Sequence, residues 1–180
     1  MDINYTQDQV ALRDSVRKFC EVELQPHYQR WDRESHKWLP DEFMQKIIDM
    51  GLLHLRLPEE YGGQGASFVD CGIVCEEIGR ADHNIRYIIR NAIQIGEMAP
   101  SMHPELRQEW IPRIAGGEMM SLAFTEPRGG ADAGNIVTKA VRDGDDWLIS
   151  GEKTSITFCG VSKVVFVSAR TGGPGPKGLS

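Results

Sequence analysis

The hydrophobic pattern of this chain changes its period once, near Glu118, and that change restricts the fold more than any other feature. Before it, apolar residues recur every three or four positions. Leu12, Val16, Phe19 and Cys20 share one helical face; Phe43, Met44, Ile47, Ile48 and Met50 share another; Val69, Ile73, Val74 and Ile78 form a third. After it come short runs with β-prone residues: MMSLAFTE, residues 137–142, residues 147–150, and SKVVFVSAR. Helices first and strands second predict segregated layers rather than alternating βαβ units. The expected fold class is therefore α+β: an all-α helical bundle domain over residues 1–117, then a partial antiparallel β domain over 118–180.

Local punctuation supports these segments. Thr6-Gln7-Asp8-Gln9 reads as a capping box, in which the Thr6 hydroxyl accepts from the Gln9 amide and the Gln9 side chain reaches back. That helix runs to about residue 24, where Pro26 bends or restarts it. A short helix is expected within HYQRWDRES, and Pro40 suits the first turn of the next. Gly51 provides a left-handed stop, and the Gly- and Pro-rich LLHLRLPEEYGGQGAS forms an irregular link. Helices follow over 68–80, 84–98 and 104–114. The second of these is apolar on more than one side (Ile85, Ile88, Ile89, Ala92, Ile93, Ile95), which predicts a central position. In the β block, Asp143-Gly144 predicts a hairpin turn. TGGPGPKG reads as a second hairpin loop, with Leu179-Ser180 starting a further strand. About four strands make a sheet but leave an edge, so the chain is expected to be a piece cut inside a larger β domain.

Composition removes several function classes. The formal net charge of -6 disfavours a general nucleic-acid binder, which would carry a basic stripe. The first residues, MDINYTQDQV, are neither a secretory signal nor an Arg-rich transit peptide, and no apolar run approaches the roughly 20 residues of a membrane span. Cys20, Cys71, Cys75 and Cys159 match no zinc spacing, and Cys71 and Cys75 read as core one helical turn apart. A reducing, cytoplasmic setting is expected.

Two stretches can carry chemistry. In SLAFTEPRGGADAG, residues 121–134, a strand ends in a hydroxyl, Pro127 fixes a turn, and Gly129 and Gly130 let the main chain approach a ligand, where free amides can cradle an anion. A plain strand-to-loop turn explains the same letters. No GxGxxG follows a strand and opens a helix, so a dinucleotide fingerprint is absent. Glu126, with no partner nearby in sequence, reads as structural rather than catalytic, and Asp132 as a loop cap. In GEKTSITFCG, residues 151–160, Ser155 and Thr157 alternate. On a strand they would face one side, towards a ligand or simply towards solvent. Ser155 has no neighbouring His or Asp to make it a nucleophile.

Taken together, LPEEYGGQGAS, CEEIGRAD, LRQEWIPRIAGGE, AFTEPRGGADAG and WLISGEKTSIT resemble, in order and spacing, the acyl-CoA dehydrogenase family. The resemblance spans the whole chain and covers that family's amino-terminal α domain and the start of its middle β domain. It implies a FAD enzyme of fatty acid metabolism that takes a proton α to a thioester and moves the β-hydrogen to flavin as hydride, giving a trans-2-enoyl-CoA. It further implies electron-transfer flavoprotein as acceptor and a homotetramer when full length. By position, Phe124 and Thr125 would line the flavin, Gly130 and Ala131 would lie by the FAD pyrophosphate or the substrate pantetheine, and Ser155 and Thr157 would sit at the inner face of the flavin ring. Asn91 and Gln94 would form the polar floor of the acyl pocket.

The chain also departs from the family. Ala131 stands where many members have Ser, and Ser155 where many have an aromatic residue. The second change implies a roomier site and an acyl group that is branched or cyclic. The usual catalytic glutamate lies in a part this sequence does not include, so no residue here is assigned as the base, and the chain alone is expected to be inactive. Competing readings are a non-catalytic binding or scaffold module, a nucleic-acid-binding relative, which the acidic balance disfavours, and an acyl-CoA oxidase.

Overall fold

In the computed structural model, residues 4–34 and 41–180 are described. The chain divides into two compact units, Met1–Glu118 and Met119–Ser180. The first is helical and the second is small and strand-containing.

The helical unit comprises α1 (Gln7–Phe19), α2 (Tyr28–Glu34), α3 (Asp41–Asp49), α4 (Phe68–Ala81), α5 (His83–Met98) and α6 (Pro104–Ala115). The Thr6–Gln9 capping box forms in both directions: the Gln9 amide donates to Thr6 Oγ1 at 3.2 Å and the Thr6 amide to Gln9 Oε1 at 3.1 Å. Ser67 and Asp70 repeat the device at the start of α4, and Asp82 caps α5 by accepting from the Asn84 amide at 2.7 Å. The first helix does not simply run on to residue 24. Cys20–Leu24 is wound as a π-helix, closed by the Gln25 amide on the Cys20 carbonyl. Pro40 falls outside the described residues. Gly51 ends the α3 turn at φ +71°, the left-handed conformation that glycine adopts at little cost.

Val16, Leu24, Ile47, Val74, Ile78, Ile85 and Ile89 are buried to 1% exposure or less and form the core of this unit. Each such side chain contributes roughly 1.5–3 kcal/mol relative to exposure. Helix α5 supplies seven buried positions, Asn91 among them, which fits its expected central place. Cys20 and Cys71 are buried, Cys75 is half-buried, and all four cysteines are free thiols.

The second unit contains β1 (Met120–Ala123), β2 (Lys139–Asp143), β3 (Asp146–Ser150) and β4 (Val164–Val167). Strands β2 and β3 form the antiparallel hairpin expected from Asp143-Gly144, with Asp143 opposite Asp146 and Gly144 at φ +63°. The other pair is parallel: β1 runs beside β4 with Met120 opposite Val164 and Ala123 opposite Val167. The long connection between β1 and β4 makes parallel pairing possible, which a tight turn would not. The glycine-rich loop after β4 closes as a hairpin, with Ala169 and Ser180 exchanging two backbone hydrogen bonds at 2.9 Å.

Segment 151–158 is not a strand. Ser155 has φ +55° and Phe158 φ +63°, so the chain turns there instead of extending. The turn is fixed from behind: the buried Ser121 hydroxyl donates to the Thr157 carbonyl at 2.7 Å and pairs with the Ser162 hydroxyl at 2.6 Å. The alternation argument for Ser155 and Thr157 therefore fails, because it requires extended backbone.

Candidate functional site in the second unit

Strand β1 ends at Ala123, and the next three residues are held by segment 151–154. The Thr154 amide donates to the Thr125 carbonyl at 2.9 Å, and Lys153 Nζ donates to the Phe124 carbonyl at 3.0 Å. The same ammonium donates to Glu126 Oε1 at 3.0 Å. Glu126, 5% exposed, also accepts from the Val137 amide at 2.8 Å and the Thr138 amide at 2.9 Å. One carboxylate thus fastens the start of the glycine loop, the residues before β2, and the lysine.

Burial by itself would push the Glu126 carboxyl up. Its hydrogen bonds to Thr138, the Val137 amide and Lys153 outweigh burial and hold it down at about 2. The Thr138 hydroxyl itself makes no hydrogen bond of standard geometry, so the two amides and the ammonium carry this effect. A carboxylate this acidic and this fully engaged is a poor proton acceptor at neutral pH. Glu126 is structural, as its isolation in the sequence suggested.

The loop itself is braced by a second side chain. Arg170 donates from Nε to the Ile136 carbonyl at 3.0 Å, from Nη2 to the Gly134 carbonyl at 2.7 Å, and from Nη1 to the carbonyls of Gly173 and Gly175 at 2.6 and 3.1 Å. Asp132 stabilises the loop by accepting from the Asn135 side chain and, through its carbonyl, from the Asn135 amide. Gly130 packs against Thr125: a Cβ there would lie 3.3 Å from Thr125 Cγ2. An open cavity of about 330 Å³ lies beside this loop, lined by Glu126, Arg128, Gly129, Asp132, Asn135, Ile136 and Val137.

These ties place the expected residues as follows. Phe124, Thr125 and Gly130 come together with Lys153 and Thr154, and Ser155 follows directly. Phe124 is 45% exposed, a large apolar ring left open. Among the described residues, the amides of Thr125, Gly130 and Ala131 and the hydroxyls of Thr125, Ser155 and Thr157 have no hydrogen-bond partner, nor has the Arg128 guanidinium. The arrangement can present hydrogen-bond donors and hydroxyls beside an aromatic surface, with a glycine loop and a cation for an anionic group. Among the described residues, no cluster of three metal-ligating side chains exists.

Asn91 and Gln94 lie in the other unit, three residues apart on α5. Asn91 is 6% exposed, and the Gln94 Oε1 atom is buried without a hydrogen-bond partner. Lys153 and Arg170 escaped the sequence reading. The only signal for Lys153 was its place one residue before Thr154 in a stretch already under suspicion. Arg170 carried none, because its acceptors are backbone carbonyls.

Comparison with known proteins shows the family of the chain. Residues 6–118 match the model of the acyl-CoA dehydrogenase N-terminal domain, and residues 121–180 that of the acyl-CoA dehydrogenase middle domain. The chain belongs to the acyl-CoA dehydrogenase family. Its similarity to acyl-CoA dehydrogenases runs along both units. It is 33% identical over 162 residues to (2S)-methylsuccinyl-CoA dehydrogenase of Cereibacter sphaeroides, covering 89% of this chain and 29% of that one. It is 31% identical to the mitochondrial isobutyryl-CoA dehydrogenase of Dictyostelium discoideum, covering 99% and 43%. The crystal structure of a glutaryl-CoA dehydrogenase from Mycobacterium smegmatis in complex with FADH2 matches with a TM-score of 0.80 at 28% identity, covering 92% and 43%. The chain thus spans less than half the length of these acyl-CoA dehydrogenases. No described helix is long and apolar enough to cross a membrane.

Proposed function

We propose that this chain is the front part of a FAD-dependent acyl-CoA dehydrogenase that converts an acyl-CoA thioester to its trans-2-enoyl-CoA. Residues 1–117 would be its amino-terminal α domain and 118–180 the first part of its middle β domain. The observation that carries the reading is the clasp of Lys153 and Thr154 on Phe124–Glu126. It leaves an open aromatic ring beside the unpartnered Thr125 amide and hydroxyl.

The residues present fit FAD. Thr125 can bond the polar edge of a flat heterocycle, Ser155 and Thr157 can offer hydroxyls to its inner face, and Phe124 can cover it. Gly130 and Ala131 have free amides and almost no side chain, so a pyrophosphate or pantetheine can approach their backbone. When bound, the flavin supplies the hydride acceptor. The chain's own task is to hold and orient it and to exclude water on the Phe124 side. No described residue is assigned as the base that takes the α-proton, and the depressed Glu126 is unsuited to it.

On the substrate side, Asn91 and Gln94 would floor the acyl pocket, and the unpartnered Gln94 oxygen supports a polar contact there. Ser155 takes less room than an aromatic side chain, which favours a branched or cyclic acyl group. Electron-transfer flavoprotein is the proposed acceptor, a homotetramer the proposed assembly and the cytoplasm the proposed compartment.

The test is the protein expressed from its complete reading frame. It should show visible flavin absorbance that bleaches with one or more members of an acyl-CoA panel, branched or cyclic before straight-chain. Absence of flavin, or flavin that no acyl-CoA bleaches, sinks the reading. The 180-residue chain alone should bind FAD weakly or not at all.

A further inference from the structure

The side chain of Lys153 is 10% exposed, and its ammonium is divided between two acceptors, the Phe124 carbonyl and Glu126 Oε1, each at 3.0 Å. The Phe124 carbonyl and the Thr125 amide are the two ends of one peptide group. A cation hydrogen-bonded to the oxygen end draws electron density towards it and leaves the N–H end more positive. This effect is not spread through a ladder, because the Thr125 amide has no partner among the described residues. The next carbonyl, that of Thr125, is held by the Thr154 amide at 2.9 Å, so the peptide is fixed in place as well as polarised. Glu126 restrains the effect, since its carboxylate neutralises part of the lysine charge.

We propose that Lys153 is a positioning residue that strengthens the Thr125 amide as a donor and thereby raises the electron affinity of the bound flavin. The proposal rests on the flavin reading above. A stronger donor at the polar edge of the ring favours the reduced form, which carries more negative charge there. Glu126, from the other side of the ammonium, sets how much of that charge reaches the peptide.

The experiment is the midpoint potential of the flavin in the full-length protein, measured by dye-linked reduction without substrate. Lys153→Met should make the bound flavin about tenfold harder to reduce, a fall of about 30 mV for a two-electron couple. Lys153→Arg should stay within about threefold of the wild type. Glu126→Gln keeps the lysine and removes the counter-charge, so it should shift the potential in the opposite direction. A merely structural clasp predicts lower thermal stability in both variants with no opposed shift. If Lys153→Met holds no flavin, Lys153→Gln replaces it, keeping a neutral donor and sharing the lowered potential. Bound flavin with an unchanged potential in the neutral variant overturns this proposal alone. A wild-type protein without flavin overturns it together with the functional reading.

Discussion

Glu77 on α4 receives both arms of Arg17 on α1: Nε donates to Oε2 at 2.9 Å and Nη2 to Oε1 at 2.6 Å. The carboxylate is 4% exposed, and Arg80 adds a longer contact at 3.5 Å. A fork of this kind fixes the rotation of one helix against another, which apolar contact alone does poorly. The Arg17 hydrogen bond is the main reason that the Glu77 carboxyl is held below its ordinary value of 4.5.

Replacing this carboxylate should flatten the acid limb of stability. A depressed folded-state pKa gives stability that is present above about pH 4.5 and is lost as pH falls through the lowered value. Glu77→Gln should cost about 1.5–3 kcal/mol at pH 7, the scale of a charged hydrogen bond, and progressively less towards pH 3. Urea unfolding at the two pH values measures this. An equal loss at both would show that the fork contributes packing rather than charge.

In the second unit the same sign applies, and the window reaches down to about pH 2. Glu126 should contribute fully above pH 4.5 and lose its contribution as pH falls towards about 2. Glu126→Ala leaves the Val137 and Thr138 amides without their acceptor and the Lys153 ammonium with the Phe124 carbonyl but no counter-charge, and should cost about 2–4 kcal/mol at pH 7. Glu126→Gln, which retains a neutral acceptor, should cost clearly less. Hydrogen exchange at Val137 and Thr138 reports on this clamp directly. Unchanged protection in the alanine variant would remove the carboxylate from the account.

Gly96→Ala sets two effects against each other. Alanine favours a helix over glycine by about 1 kcal/mol. A Cβ at Gly96 would lie 2.8 Å from the Arg56 carbonyl carbon and from the Leu57 amide nitrogen. Backbone cannot swing aside as a flexible side chain can, so the clash should win and destabilise by about 1–3 kcal/mol. Thermal unfolding decides it, and a raised melting temperature would mean that the close approach of α5 to the Arg56–Leu57 backbone is looser than described.

The thiols should separate by labelling. Burial pushes Cys20 and Cys71 up to about 11, while Cys159 is exposed. Iodoacetamide at pH 8 should modify Cys159 in the native protein and reach Cys20 and Cys71 only after unfolding. Peptide mapping by mass spectrometry reads this, and native labelling of Cys71 would contradict its placement in the core.

What was legible in the sequence was local. The Thr6–Gln9 capping box, the Gly51 stop and the Asp143-Gly144 hairpin are each specified within a few residues, and each formed. Features set by distant partners were not legible. Ser155 and Phe158 adopt positive φ because the 155–162 turn is tied to Ser121, and nothing in their own propensities announces it. The candidate site was half readable. The small residues at 129–131 and the hydroxyl of Thr125 advertised close approach to a ligand. Lys153 reads in sequence as a solvated lysine, because its acceptors lie near the end of β1. The family resemblance pointed to a stretch of chain without revealing what holds it in shape.

The parallel pairing of β1 with β4 has a consequence for how the chain is made. Met120 must wait for Val164 before its strand has a neighbour, and the whole β2–β3 hairpin is synthesised in between. The hairpin can close locally within microseconds, but the β1–β4 ladder requires a long loop to close first. Until then Met120 and Ala123, both buried in the finished unit, have no covering strand. On the ribosome, the β1–β4 ladder must therefore follow the β2–β3 hairpin, so the parallel pair is the later of the two strand pairs to form.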